Sequence, residues 1–523
     1  HRGKIMAKQR ATRNKTDDTN IRERVKKPPS AVFVDSYFAP RVAREIAYNF
    51  DSEMQLNLAH GLMLARQGII AKKDMRKILK VVLKVMREGP EALGVDHKVE
   101  DLYSYTERHI IQALGPEVGG RLHTGRSRND LHTTTWRMAL RENLLAVLDV
   151  LAELRATTLK LAAQYIETVM PGYTHSQHAQ PITLGYYLLT FADVLARDFS
   201  RIEAGLARTD QSPLGSGALT TTAFPLDRNY TAKALGFDGV LEIAYDGVSN
   251  RDDALEASAA LSILMTNISR LAFDLQSWNT LEYQFIELGD EHSSVSSIMP
   301  QKKNPSSMEH AKGVAAVVAG DFMAALSCVK NTSMSDVGDG VTALNEPVLD
   351  ACTRTRKILA VMTEVLEALT VHEDAMLRSA EVGFGSATEL SDVIVRETGL
   401  SFRMAHNIVG NVVRKTVAAG KTALDIAAKD LDAASRELFD KPLKISAKAV
   451  ADALDPAKNI QVRTLTGGPA PKTMKAMIVA RKKVLSADKK SVNAVKSRVA
   501  KAREKLLKDA KAFVSGKAAG KAA

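Results

Sequence analysis

The chain has 523 residues, 45% of them hydrophobic, with a formal charge of +12 and two cysteines, Cys328 and Cys352. This is a globular composition, too long for one ordinary core, so two to four domains are expected. It excludes a disulfide framework, and with no run nearing eighteen uninterrupted apolar residues no membrane partner is expected.

The basicity sits at the ends. Residues 1–27 carry ten Lys/Arg against three Asp/Glu, residues 472–523 carry sixteen against three, and the stretch between is net acidic. The N-terminus lacks the apolar run of a secretory signal, and a cytoplasmic location is the simplest expectation. Residues 1–30 read as a disordered basic leader. Residues 485–523 read as a solvated, partly helical Lys/Ala-rich tail whose removal leaves activity unchanged. No aromatics interleave with the tail lysines, so nucleic acid is expected at most as a weak contact of the tails.

In chain order, residues 31–126 read as an N-terminal helical domain ending at His123-Thr124-Gly125-Arg126. Residues 127–380 read as a central helix bundle. There Leu144, Leu148 and Leu151 share a face, and Leu184, Leu188, Phe191, Leu195, Phe199 and Ile202 recur at spacings of four and three. Leu261, Leu264, Ile268, Leu271, Leu275 and Trp278 do the same. Residues 381–484 read as a C-terminal helical domain, punctuated by Gly383-Phe384-Gly385-Ser386 and Gly467-Gly468-Pro469-Ala470-Pro471. Period-two β-branched runs are nearly absent, so the class is all-α. The apolar seams are wide enough to demand partners from other subunits, without fixing how many.

Four polar loops interrupt the helices. In His123-Thr124-Gly125-Arg126-Ser127-Arg128-Asn129-Asp130, Arg128 is able to clamp a carboxylate while Ser127 and Asn129 hydrogen-bond its neighbours. The same segment also reads as a helix N-cap with Asp130 in the first turn. Gly172-Tyr173-Thr174-His175-Ser176-Gln177-His178 places two histidines three apart. No HExxH pattern or cysteine accompanies them, so a proton carrier or substrate contact is expected rather than a metal ligand. Ser212-Pro213-Leu214-Gly215-Ser216-Gly217-Ala218 reads mainly as scaffold. Ser296-Ser297-Ile298-Met299-Pro300-Gln301-Lys302-Lys303-Asn304-Pro305 combines hydroxyls, amides and fixed positive charge in a stretch that its prolines keep from being one helix. Those parts hold a carboxylate and stabilise negative charge growing beside it.

The serine segment resembles the signature loop of the fumarase/aspartase superfamily, and its Gln-Lys-Lys-Asn form is similar to argininosuccinate lyases. The four loops follow that family's order. Phe402-Arg403-Met404-Ala405-His406-Asn407 and the Gly-Gly-Pro-Ala-Pro segment also resemble it, so that the likeness covers roughly residues 95 to 480. The resemblance implies an all-α, three-domain subunit whose long central helices assemble into a homotetramer, each active site drawing loops from three subunits. It implies β-elimination of an N-substituted aspartate to fumarate and an amine, without metal or organic cofactor. Ser296 would be the base and His175 would deliver or support the leaving-group proton. Lys302 and Asn304 would hold the carboxylate that takes up charge. Thr174, Ser127, Arg128 and Asn129 would bind the succinyl end, with Ser297 and Gln301 in the same substrate-binding loop.

Three departures stand out. Val295 replaces the usual Gly before the serines, and Tyr103 stands where the family usually has His. Argininosuccinate lyases usually place Tyr, Gln and Lys after the serine loop to contact the arginine half, but residues 321–350 contain no Tyr, no Gln and only Lys330. In their place is Ser335-Asp336-Val337-Gly338-Asp339-Gly340, where either aspartate would pair with a cationic amine or merely shape a turn. Argininosuccinate is therefore one expected substrate and another N-succinyl amine or aminocarboxylate the alternative. A non-catalytic structural or binding protein on the same scaffold is the reading from a different class.

Overall fold

The computed structural model describes residues 27–96 and 99–516. Most of the expected basic leader, residues 1–26, and the last seven residues lie outside the described ones. The protein is overwhelmingly helical, and among the described residues its strands form four two-stranded pairings.

Helix α1 (Ala39–Arg66) is buried at every position from Ser52 to Ala65, around α2 (Lys72–Glu88) and α3 (Leu102–Leu114). A helix buried all round must satisfy its polar residues internally. Thr106 Oγ1 donates to Glu53 at 2.7 Å, and His60 Nε2 meets the Thr124 carbonyl at 2.9 Å.

The centre is an up-and-down bundle. Helix α4 (Arg128–Gln164) runs 37 residues. Strands β1 (Val169–Thr174) and β2 (Gln177–Thr183) form a hairpin at its far end. Helix α5 (Leu184–Thr209) then returns antiparallel, its first turn capped by Thr183 accepting from the Tyr186 amide. Helix α6 (Asp252–Trp278) runs out again. The short antiparallel pair β3 (Ser294–Val295) and β4 (Lys303–Asn304) follows, then α7 (Ser306–Lys330) comes back and α8 (Gly338–Glu367) closes the bundle against α4. The predicted leucine seams are its core: Leu144, Leu148, Leu195, Ile202, Leu261, Leu264 and Ile268 are all fully buried. Cys352 lies in the same core, where burial pushes its thiol up to about 12, and Cys328 is also free.

Three hydrophobic cores are distinct: one in the N-terminal helices, one in the bundle, and one built from residues such as Leu390, Ile394, Ile408, Val412, Leu431 and Val450. The C-terminal helices α9 (Glu373–Val382), α10 (Ala387–Thr398) and α11 (Phe402–Ala418) lead into the third core.

One expectation changes. No separate tail begins at 485. Helix α12 (Pro471–Val514) continues unbroken past that point and packs along α4, α5, α1 and α2. Its Leu485 and Val492 enter the bundle core and its Leu506 and Ala510 the N-terminal core. Its Lys496 and Arg498 meet Asp149 at 2.5 Å and Asp238 at 2.6 Å, with Arg498 also against Asp210, and its Asp488 meets Arg155 of α4 at 2.7 Å. The lysines of α12 are themselves exposed, and its buried apolar residues and a few ion pairs are what dock it. Among the described residues α7 is long and apolar enough, by length and composition, to cross a membrane, while Glu309, Lys312 and Asp321 keep its uninterrupted apolar runs well short of eighteen. Val317 and Met323 on it are exposed in the single chain, as are Ile263 and Phe273 on α6.

Candidate active site

Ser127 begins α4 in extended conformation, and its hydroxyl accepts from the Asn129 amide at 3.3 Å. In return the Ser127 amide donates to Asp130 Oδ1 at 2.9 Å, completing a capping box. The other Asp130 oxygen accepts from the Gly215 and Gly217 amides at 2.9 and 3.0 Å. The glycine loop is thereby bolted to the first polar segment. Gly217 has φ 61°, and a Cβ there would lie 2.7 Å from the Thr221 carbonyl oxygen, so a side chain is doubly excluded. Burial raises the Asp130 carboxyl to about 6, although three backbone donors pull the other way. Asp130 escaped the sequence reading as a site-building residue. Its place three positions into a capped helix was the available signal.

Arg128 is not poised as an open clamp. Its Nη1 donates to Glu100 at 3.0 Å and to Asp101 at 3.1 Å. Burial opposes the Asp101 charge, but His132, Ser104 and Arg128 outweigh it and hold that carboxyl far below the usual range. Asn129 Nδ2 donates to the Ala218 carbonyl at 3.2 Å. A substrate carboxylate here must therefore compete with the protein's own partners. Tyr103 packs its ring 4.8 Å from that of His123 and lies under the Arg126 guanidinium, so the residue at the family's histidine position is a buried stacking partner.

His175 and Ser176 form the tip of the β1–β2 hairpin, with Thr174 paired to Gln177 across it. Their φ values, 53° and 58°, are both left-handed, the geometry of a two-residue turn usually filled by Asn-Gly. Thr174, His175 and Gln177 are exposed there. His178 instead turns back. Its ring meets Tyr173 edge-on, and burial lowers its pKa. Gly383 and Gly385 exist because the hairpin lies on them: a Cβ would fall 2.6 Å from His178 Nδ1 and 2.1 Å from the Ala179 oxygen.

The serine segment spans the tip of the β3–β4 pair. The Ser296 amide donates to the Lys302 carbonyl at 3.2 Å, and the Lys302 amide to the Met299 carbonyl at 3.2 Å. The Ser296 hydroxyl oxygen accepts from the Met299 amide at 2.9 Å and the Ile298 amide at 3.3 Å. Two N–H dipoles thus converge on the oxygen that would carry charge as an alkoxide. The two lysines differ. Lys303 is tied to Glu287 at 2.9 Å and Asp290 at 2.7 Å, whereas Lys302 is exposed and makes no ion pair among the described residues. Asn304 Nδ2 reaches Ser294 Oγ at 3.5 Å, and Ser297 and Gln301 are exposed. Val295 lies in the extended strand, outside the set of positive-φ residues, so no glycine is demanded in this loop conformation.

These groups fall at two ends of the bundle. Tyr173 of the hairpin and Tyr283 of the α6–α7 connection are ring neighbours at 6.1 Å, so Thr174, His175 and the serine segment share one end. Ser127, Arg128 and Asn129 start α4, and its 37 residues span ~55 Å. Even with the hairpin folded back along that helix, at least ~30 Å separates Asn129 from His175 in one chain. Asp336 and Asp339 belong to the Asn129 end. Asp336 faces Arg251 at 3.6 Å, whereas Asp339 is exposed and accepts from the Gly340 amide at the start of α8.

The family model described as Lyase matches residues 43–320, and that described as Argininosuccinate lyase C-terminal matches 384–461. Argininosuccinate lyase 1 of Shouchella clausii is 37% identical over 473 residues, covering 90% of this chain and 95% of its own. Argininosuccinate lyase of Methanoculleus marisnigri is 40% identical over 467 residues, covering 89% and 93%. A crystal structure of an EDDS lyase in complex with formate superposes with TM-score 0.84 at 31% identity, covering 91% of this chain and 94% of that one. A class II fumarase from Schistosoma mansoni shares the fold alone, with TM-score 0.66 at 14% identity. With this identity maintained across nearly the whole length, the chain belongs to the argininosuccinate lyase family.

Proposed function

We propose that the protein is a carbon–nitrogen lyase that eliminates arginine from argininosuccinate, leaving fumarate. The observation that carries the reading is the Ser296 hydroxyl receiving two backbone N–H groups beside the unpaired Lys302. A serine is a poor base in water, and donors aimed at its oxygen, with nearby positive charge, lower the cost of its alkoxide. Ser296 removes the proton on the carbon next to a carboxylate. Lys302 and Asn304 meet the extra charge that this carboxylate takes up, and His175 supplies or supports the proton for the departing nitrogen. Thr174, Ser297, Gln301 and the segment Ser127–Asn129 hold the succinyl end.

The two-ended distribution of these groups supports a shared site. A substrate a few ångströms across cannot touch both ends of a ~55 Å helix, so one subunit's Asn129 end must meet another's hairpin and serine loop. The exposed apolar residues on α6 and α7 supply faces for that contact. A homotetramer with its long helices at the centre satisfies both demands.

The direct test is fumarate release from argininosuccinate, followed by absorbance, with wild type and Ser296→Ala. Loss of ~10³-fold or more in kcat with an unchanged oligomer is expected. Near-full activity of the variant would refute the assignment of the base. A second reading, the same elimination from another N-substituted aspartate, is favoured by the absence of Tyr and Gln from residues 321–350, where Lys330 stands alone, and by the likeness to an EDDS lyase. A panel of N-substituted aspartates separates the two.

A further inference from the structure

Resting on the elimination reading, the inference concerns which part of the leaving amine the protein recognises, and with what. Beside Asn129 opens a small cavity of ≈ 60 Å³ with a mouth to solvent, walled by α1, α4 and the first turns of α8. His132, Thr133 and Trp136, three, four and seven positions past Asn129, line it. They share that helix face and lie ~5–10 Å further along the axis. A substrate gripped by its succinyl end at Ser127–Asn129 therefore directs its amine half at the mouth of this space, which must widen to admit it.

The walls contain polar groups of two kinds. Some are already committed: Arg41 to Glu45 at 2.8 Å, His132 to Asp101 at 3.3 Å, and Arg251 to Asp336. Others are not. The indole N–H of Trp136, a residue only 4% exposed, has no hydrogen-bond partner, and neither has the buried Oδ1 of Asn49. A buried donor and a buried acceptor lining one cavity are satisfied by something that enters it. At the cavity wall Arg44 and Glu346 face each other at 2.7 Å, with side chains 44% and 46% exposed. An exposed pair held by one contact is easily opened.

We propose that Arg44 and Glu346 part to receive the amino-acid end of the leaving amine. Its carboxylate docks on the Arg44 guanidinium and its ammonium on the Glu346 carboxylate, while Trp136 and Asn49 meet polar atoms deeper in the cavity. Opened, the pair is the charge complement of a zwitterion, which a neutral or purely cationic amine lacks. This explains how a chain without the usual Tyr and Gln selects an amine: the handles are Arg44 of α1 and Glu346 of α8.

The test is calorimetric binding of arginine and of its decarboxylated counterpart, agmatine, to the full-length oligomer. Fumarate release is measured on the same preparations. Wild type is expected to bind arginine more tightly than agmatine. Arg44→Met is expected to weaken arginine binding ~30-fold, the worth of one charge-assisted contact, and to erase the preference. Glu346→Gln should weaken both amines' binding through their shared ammonium. Both side chains are half-exposed, and an unchanged melting temperature verifies folding. Wild type that does not distinguish the two amines, or Arg44→Met that binds arginine like wild type, overturns the proposal. Binding is read without turnover. Absent fumarate release therefore counts against the catalytic reading, and lost discrimination against this one.

Discussion

Ser296, Lys302 and Lys303 lie within eight residues of one another, yet their surroundings divide the labour. Backbone amides converge on Ser296, Glu287 and Asp290 hold Lys303, and Lys302 stays open. Removing the positive charge of Lys302 is expected to lower kcat ~10²–10³-fold, whereas Lys303→Met acts mainly by loosening the β3–β4 pair; steady-state kinetics on both variants checks this. Elsewhere a single residue has a legible pH signature. Burial raises the Glu53 carboxyl to about 7, with the Thr106 hydroxyl opposing. A carboxyl raised on folding contributes stability that is complete below its unfolded value and lost as pH rises through the folded one. Glu53→Gln keeps an acceptor for Thr106 and removes the ionisation. The variant should melt near wild type at pH 5 and above it at pH 8, by a few kcal/mol at most. Equal offsets at both pH values would contradict it.

Among the elements, the His175 hairpin is the one built against local preference. Two consecutive left-handed residues without glycine are costly, and they persist because Thr174 pairs with Gln177 and the hairpin base lies on Gly383 and Gly385. Ser176→Gly is expected to stabilise by up to ~1 kcal/mol, and Ser176→Val to destabilise by ~1–2 kcal/mol, read by thermal unfolding. The sequence marked this segment as a polar loop because its Gly and His interrupt helical periodicity, but short strands leave too few alternating residues to be seen. The capped start of α4 was legible: Ser127 and Asp130 act within four residues. The partners of Arg128 were not, since Glu100 and Asp101 precede it by 28 and 27 positions.

Across the whole molecule, helix α12 joins what composition had separated. Truncation after residue 484 removes Leu485, Val492, Leu506 and Ala510 from two cores, and takes Arg498 from Asp210. The expectation of unchanged activity gives way to its opposite: the truncated chain should lose solubility or melt well below the full one. An unaltered melting temperature would show the helix to be dispensable. Charge totals alone concealed this, because an arginine facing an acid 260 or 452 residues away and an arginine facing water count the same.

The amino-acid sequence by itself determined the helical class, the leucine seams and the chemical content of the loops, because periodicity, capping and turn residues act over a few positions. Tertiary structure alone decided which charges are spent on internal partners and which remain for a substrate. It also decided that the loops fall at opposite ends of one bundle, since burial and long-range pairing depend on how distant segments are brought together.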